Sequence, residues 1–302
     1  MGLFTKKDPC AICGGKVKGL LAWKVEGKYV CDDCYGRVDL PGKGTNDMTL
    51  EQFEEYRAFR EENDKLKEDF QKSQEIDFGA FETKIVFDSA NKLFCMDKNL
   101  KTTVFEGHHI KKFEIREDEF VLLEGNAAGL YRHRSMVRAH VRAMAPQISQ
   151  FIMQARLREN MEEMREAMGK DRPLYTPQPD LPEPFNSFNI EIQLDHPYWS
   201  CLTADMSAPA FDNDRPDIED YLSTYDEKVA LMEQLALALM DIAYPDAPVD
   251  MSGNVDDLDL AASNASTGVS VADEIKKFKE LLDMGVLTEE EFAAKKKQLL
   301  GI

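Results

Sequence analysis

A chain of 302 residues with 56 acidic against 37 basic side chains carries a formal net charge of −19 at pH 7, which repels nucleic acid and anionic lipid wherever no local basic patch intervenes. The length suffices for two or three domains, one of them with a substantial core. No apolar run approaches the length of a membrane span, Met1 leads almost at once into Lys6, Lys7 and a cysteine module instead of a signal peptide, and Cys95 and Cys201 stand isolated in apolar settings. The expectation is a cytoplasmic protein in a reducing compartment.

The first 45 residues hold the most specific chemical signal. Cys10, Cys13, Cys31 and Cys34 form C-x2-C, seventeen residues, then C-x2-C, a spacing that reads as a structural zinc site. Four thiolates close a tetrahedral site and leave no position for water or substrate, so the implied Zn2+ is structural. Iron would use the same ligands. A redox couple is disfavoured, because two such pairs in one small module share a metal more often than they act as exposed thiols. Gly14 and Gly15 suit a chain that folds back on the sulfurs. Val17, Leu20, Leu21, Trp23 and Val25 lead through Glu26-Gly27 to Tyr29 and Val30, a short hairpin. The second pair is expected on a knuckle or at the start of a short helix around Tyr35 to Val38, giving a treble clef or zinc ribbon. With eight Lys/Arg against five Asp/Glu in residues 1–45, and two net negative charges on a tetrathiolate zinc, the module lacks a nucleic-acid footprint.

After a loop, Thr49 and Gln52 form a capping box for a helix running to about Lys72, a charged connecting helix within residues 46–75. Residues 76–244 are expected to form an antiparallel β-rich domain. Strands are expected at 84–87 and 92–96 around an Asp88 to Asn91 turn, then at 102–105, 110–115 and 120–123. Ser187 to Leu194 alternates cleanly and should join the same sheet. A long helical insertion at about 130–168 is broken by Pro146. Its first part places Arg132, Arg134, Arg138 and Arg142 beside an apolar face of Val137, Val141, Met144 and Ile148. These arginines are a possible contact for an anionic surface, or they neutralise the protein's own acidic groups. In the second part Leu157, Met161, Met164 and Met168 have heptad-like spacing, suited to a helical hairpin or self-association. Prolines make 169–184 an extended connection, and the chain from 195 to 214 reads as irregular. A helix from Pro216-Asp217 to about Ile242 closes the sheet with Val229, Met232, Leu235, Ala236 and Leu239, and Pro245 ends it. Residues 245–270 read as a flexible acidic linker. Residues 271–302 read as a helical hairpin, with Gly285 between its helices and Phe278, Leu281, Leu282, Phe292 and Leu299 free for self-association.

No phosphate loop, nucleophile elbow or HExxH occurs, and no catalytic constellation is visible. His108-His109 is the one histidine pair and is expected in a turn between two strands; adjacent side chains on a strand face opposite ways, so a poor chelate is expected. His133, His140 and His196 lack a partner at ligand spacing.

Lys279 to Leu300, with Gly285-Val286-Leu287-Thr288 before Glu291-Phe292 and a lysine-rich last helix, resembles the SHOCT (short C-terminal) domain. Cys-Ala-Ile-Cys-Gly and Tyr-Val-Cys-Asp-Asp-Cys resemble the zinc-ribbon domain of unknown function that begins bacterial proteins often ending in SHOCT. Their middle region is similar to a PH-like domain, a bent antiparallel sheet closed by one helix. The resemblance implies the four cysteines as metal ligands and no catalytic residues. The arginine-bearing helices stand where those proteins have a glycine-rich segment. The sequence therefore describes an α+β multidomain, non-enzymatic scaffold that self-associates or docks on protein partners, with no small-molecule substrate. A peripheral membrane adaptor is the first alternative and a nucleic-acid-associated regulator the second.

Overall fold

The computed structural model describes residues 8–18, 22–36, 38–40, 45, 47–79, 83–168, 181, 183–213 and 215–253. Most of the proline-rich connection, the linker beyond Gly253 and the C-terminal hairpin with Phe278, Leu281, Leu282, Phe292 and Leu299 lie outside these residues. The described part is a mixed α+β structure with antiparallel sheets and few helices.

The expected N-terminal hairpin forms from β1 (Trp23–Val25) and β2 (Lys28–Val30). Its turn residues Glu26 and Gly27 both have positive φ, 50° and 76°, the combination whose twist matches that of the paired strands. Helix α1 (Asp32–Tyr35) follows Cys31 directly.

Helix α2 (Leu50–Asp69) opens with the expected capping box, in which the Thr49 side chain accepts from Gln52 N and the Gln52 side chain accepts from Thr49 N. It stops at Asp69, short of Lys72, because the chain turns into a strand at Gln74. It is also no solvated connector. Phe53, Tyr56, Arg60 and Asn63 are buried along one face. The two polar residues tolerate burial because both are bonded. Asn63 donates to Val104 O at 2.6 Å and accepts from Val104 N at 3.0 Å, closing the free edge of the neighbouring sheet, while Arg60 reaches Asp39 at 2.9 Å. A hydrophobic pattern alone does not register such a face.

The strands divide into two sheets where one was expected. The first holds β3 (Gln74–Asp77), β4 (Lys84–Asp88), β5 (Leu93–Cys95) and β6 (Val104–Glu106) in sequential antiparallel order. Its β4–β5 hairpin turns where expected, with the Asp88 carboxylate accepting from Asn91 N and Nδ2 at 3.1 and 2.7 Å. The second comprises β7 (Ile110–Glu117), β8 (Phe120–Asn126), β9 (Gly129–Arg132), β10 (Ser187–Leu194), β11 (Cys201–Ser207) and β12 (Val249–Asp250), in the order β11-β10-β7-β8-β9-β12. The break between the sheets is a 3-10 turn over Gly107–His109. A side chain on Gly107 would place its Cβ 2.3 Å from the carbonyl oxygen of Ile242, so this corner requires glycine.

Three strands correct the sequence expectations. Leu130 to Arg132, read as the start of the helical insertion, belong to β9, which continues the β7–β8 meander. Strand β11 runs through a segment read as irregular, and its buried Ala204 and Met206 are too weak in β propensity to announce it. Strand β12 pairs in parallel with β9, so the first residues of the expected linker are docked. The insertion itself is two helices, α3 (Val137–Ala143) and α4 (Ala145–Ala167), separated at Met144, with Pro146 in the first turn of α4, where its missing N–H costs nothing.

Helix α5 (Ile218–Ala243) is capped by Asp217, whose carboxylate accepts from Glu219 N and Asp220 N. It lies against β7, β8 and β9 and buries the expected Val229, Met232, Leu235, Ala236 and Leu239. At the far edge of this core a buried network joins α5 to the sheet: Ser135 donates to Glu117 at 2.7 Å, and the Tyr225 hydroxyl bonds both Glu117 and Ser135.

Candidate metal centre

The backbone brings the four sulfurs together in two halves. In the first, Gly14 adopts φ +68° and its N–H bonds Cys10 O at 2.9 Å, while Cys10 N bonds Gly15 O at 2.8 Å, so the chain folds tightly around Cys10 and Cys13. In the second, Cys31 leaves β2 and Cys34 sits one turn later in α1, where its N–H bonds Cys31 O at 3.1 Å. The halves are tied by Ala11 N to Tyr29 O at 2.8 Å and by Cys31 N, which donates to Cys10 Sγ at 3.3 Å.

The four Sγ atoms all lie within 4.8 Å of one another, with Cys13 and Cys31 3.6 Å apart. Sulfurs on a tetrahedral ion at a metal–sulfur bond of about 2.3 Å stand roughly 3.8 Å apart, so the cluster fits a metal without rearrangement of the chain. None of the four cysteines is in a disulfide, and Cys10, Cys31 and Cys34 are buried. Burial alone would raise the Cys10 pKa, but the N–H groups of Cys13, Cys31 and Ile12 outweigh it and bring it to about 6. Cys34 moves the other way: burial and the neighbouring thiols push it up. Four thiolates this close need a shared cation to ionise together.

The centre is braced against the rest of the molecule. Trp23 stacks on Tyr35 at 4.1 Å, Tyr35 stacks on Phe53 of α2, and the Tyr35 hydroxyl bonds Thr45 Oγ1 at 2.7 Å. Asp39 is the latch. Its carboxylate accepts from Tyr56 at 2.6 Å, Arg60 at 2.9 Å and Thr103 at 2.7 Å, joining the cysteine module, α2 and the start of β6. Sequence reading had no means to find it, because the three partners lie 17, 21 and 64 positions away.

Two of the arginines singled out in the sequence pair with acidic residues of α5. Arg132, on β9, pairs with Glu233 of α5 at 2.5 Å, and Arg138, on α3, pairs with Asp226 of the same helix. Arg134 lines a cleft with Glu117, Phe120, Met136 and His140, and Arg142 lies on α3. The histidine pair lies in a turn between strands, as expected, but the turn is 3-10, so the rings of His108 and His109 lie side by side, 4.1 Å apart, instead of facing opposite ways, and a ligand atom of each lies within 4.8 Å of one on Glu106.

These features define a mixed α+β protein with a tetracysteine centre in its N-terminal module. Residues 9–56 match the family model described as "Domain of unknown function (DUF4428)", and residues 273–300 match that of the SHOCT "Short C-terminal domain". The first match holds all four cysteines and ends at Tyr56, the residue that bonds Asp39. No curated protein and no solved structure matches the chain. Among the described residues, no helix is long and apolar enough to cross a membrane.

Proposed function

We propose that this chain is a non-enzymatic, cytoplasmic interaction scaffold that self-associates, with a structural zinc ion in a ribbon-like N-terminal module. The two-sheet body with its closing helix α5 is read as PH-like, and the SHOCT hairpin as a tethered association element. The observation that carries this reading is helix α4. Its first half packs through Ile148 and Phe151, but Met153, Leu157, Met161, Met164 and Met168 are 59, 55, 49, 59 and 64% exposed. An apolar seam of this kind on a helix that runs about 24 Å beyond Phe151 suits a partner helix.

A second copy is the occupant we favour. Leu157, Met161, Met164 and Met168 are spaced by four, three and four, as paired helices require, and residues 156–168 carry three arginines and four glutamates, so two copies do not repel strongly. The same near-balance of charge gives the projecting half little attraction for anionic lipid, and the pairing of Arg132 and Arg138 with α5 weighs in the same direction. Two heptads bind weakly alone. A second weak element on the same chain, the SHOCT hairpin, raises their effective concentration.

The test is mass in solution by light scattering for the full chain, for a chain ending at Gly253, and for Met161→Glu with Met164→Glu. Self-association predicts an oligomer for the full chain and a lower mass for both variants. A full chain that stays monomeric at all concentrations overturns it.

A further inference from the structure

The corner where the two sheets part gathers more ligand chemistry than packing needs. Glu106 ends β6, His108 and His109 occupy the turn, and one ligand atom from each lies within 4.8 Å of the others. The turn is held from three sides. Gly107 N donates to Lys92 O at 2.7 Å, Asp195 N donates to His109 O at 2.7 Å, and Gly107 abuts the carbonyl of Ile242 in the last turn of α5. Ile242 lies in the last turn of a 26-residue helix, where the Asp241 carbonyl already accepts from Lys92 Nζ at 2.8 Å.

Among the described residues, the buried His109 Nδ1 has no hydrogen-bond partner, although most buried side-chain polar atoms have one. The His196 ring lies 4.9 Å from the His109 ring and is wedged against Trp199, so His109 has little freedom to turn away. His108 is exposed and Glu106 half-buried, leaving both free to close on an ion from the solvent side. Around a tetrahedral ion with bonds of about 2.0 to 2.2 Å the donors need to come roughly 3.4 Å apart, a small side-chain adjustment from their present spread.

We propose that Glu106, His108 and His109 form a second, exchangeable site for a divalent transition cation of the Zn2+ or Ni2+ type, with one coordination position open to water. Two imidazoles and a carboxylate suit such ions, and an accessible three-ligand site releases its ion far more readily than the closed thiolate centre. The chain thus has two metal sites of opposite character, one permanent and one responsive to the free metal level.

The experiment uses the full chain loaded with Zn2+ and then dialysed against a weak chelator, so that only tightly held metal remains. Titration with Zn2+, followed by calorimetry and by the imidazole resonances, should show one additional equivalent that shifts His108 and His109 together. Glu106→Gln and His108→Ala, both at accessible positions, should each weaken that equivalent at least about tenfold, while thermal melting stays unchanged. His133→Ala, which removes a histidine whose ring lies beside Glu124, should leave it intact. No additional equivalent, an equivalent indifferent to both ligand variants, or one lost in His133→Ala would each overturn the proposal.

Discussion

Helices α4 and α5 are nearly equal in length, 23 and 26 residues, and both carry apolar side chains at helical spacing, yet they end in opposite situations. Helix α5 lays its apolar face on the six-stranded sheet, and Met232, Leu235, Ala236 and Leu239 are almost wholly removed from water. Helix α4 buries its apolar side chains only as far as Phe151 and leaves the rest of its seam exposed. Periodicity states that a helix has a face to cover. It does not state whether the same chain supplies the cover.

The first way to sharpen this contrast is to remove a third support that touches neither helix. Stripping metal from the cysteine centre should collapse residues 8–36, seen as loss of the near-ultraviolet signal of stacked Trp23, because such modules owe most of their folding free energy to the ion. The α5-covered sheet should still unfold as a separate cooperative transition. One broad transition would mean that the Asp39 latch makes the two regions interdependent.

Next in size is a direct comparison of the helices. Leu235→Ala should cost about 2 to 5 kcal/mol in denaturant unfolding, whereas Met161→Ala should stay within about 0.5 kcal/mol when measured on monomer. The contrast breaks if Met161→Ala destabilises the monomer comparably, which would place α4 against its own chain.

The tie between α5 and β7 should appear as a pH dependence. Burial raises the pKa of Glu117, against the opposing hydrogen bonds of Tyr225 and Ser135. A folded value above the unfolded one of about 4.3 means that the native state holds this proton more tightly. Its contribution is fully present below the unfolded pKa and is lost as pH rises through the folded value. Glu117→Gln should flatten this part of the stability profile above about pH 4.3, and a profile identical to that of the parent would remove Glu117 as its source.

The smallest effect belongs to the Arg138 and Asp226 pair, which links α3 to α5 at a partly exposed position. Arg138→Ala should cost no more than about 1 kcal/mol in chemical denaturation, and a larger loss would make α3 an integral part of the α5 packing.

Local rules made a good part of this molecule legible. The cysteine spacing named the four residues that cluster, Thr49 and Gln52 named the start of α2, Asp88 to Asn91 named a hairpin, and Val229 to Leu239 named the buried face of α5. Each is a relation between residues close in sequence, so the chain declares it without being folded. Strand β3 carries too many charges to stand out, β11 is composed of weak strand formers, and β12 consists of only two residues, so none of them announces itself. The three strands exist because a neighbouring edge is available to pair with.

The same distinction separates the sites. By itself the sequence determined the four cysteines that cluster as a metal site would require and the apolar faces of two long helices, because 3.6-residue periodicity and C-x2-C spacing are local geometry. Only the tertiary structure decided that Asp39 latches the metal module to α2, that one sheet becomes two at Gly107, and that the corner so formed turns His108 and His109 towards Glu106. Those outcomes depend on backbone carbonyls and edges contributed by residues remote in sequence, and such partners come within reach only once the chain has packed.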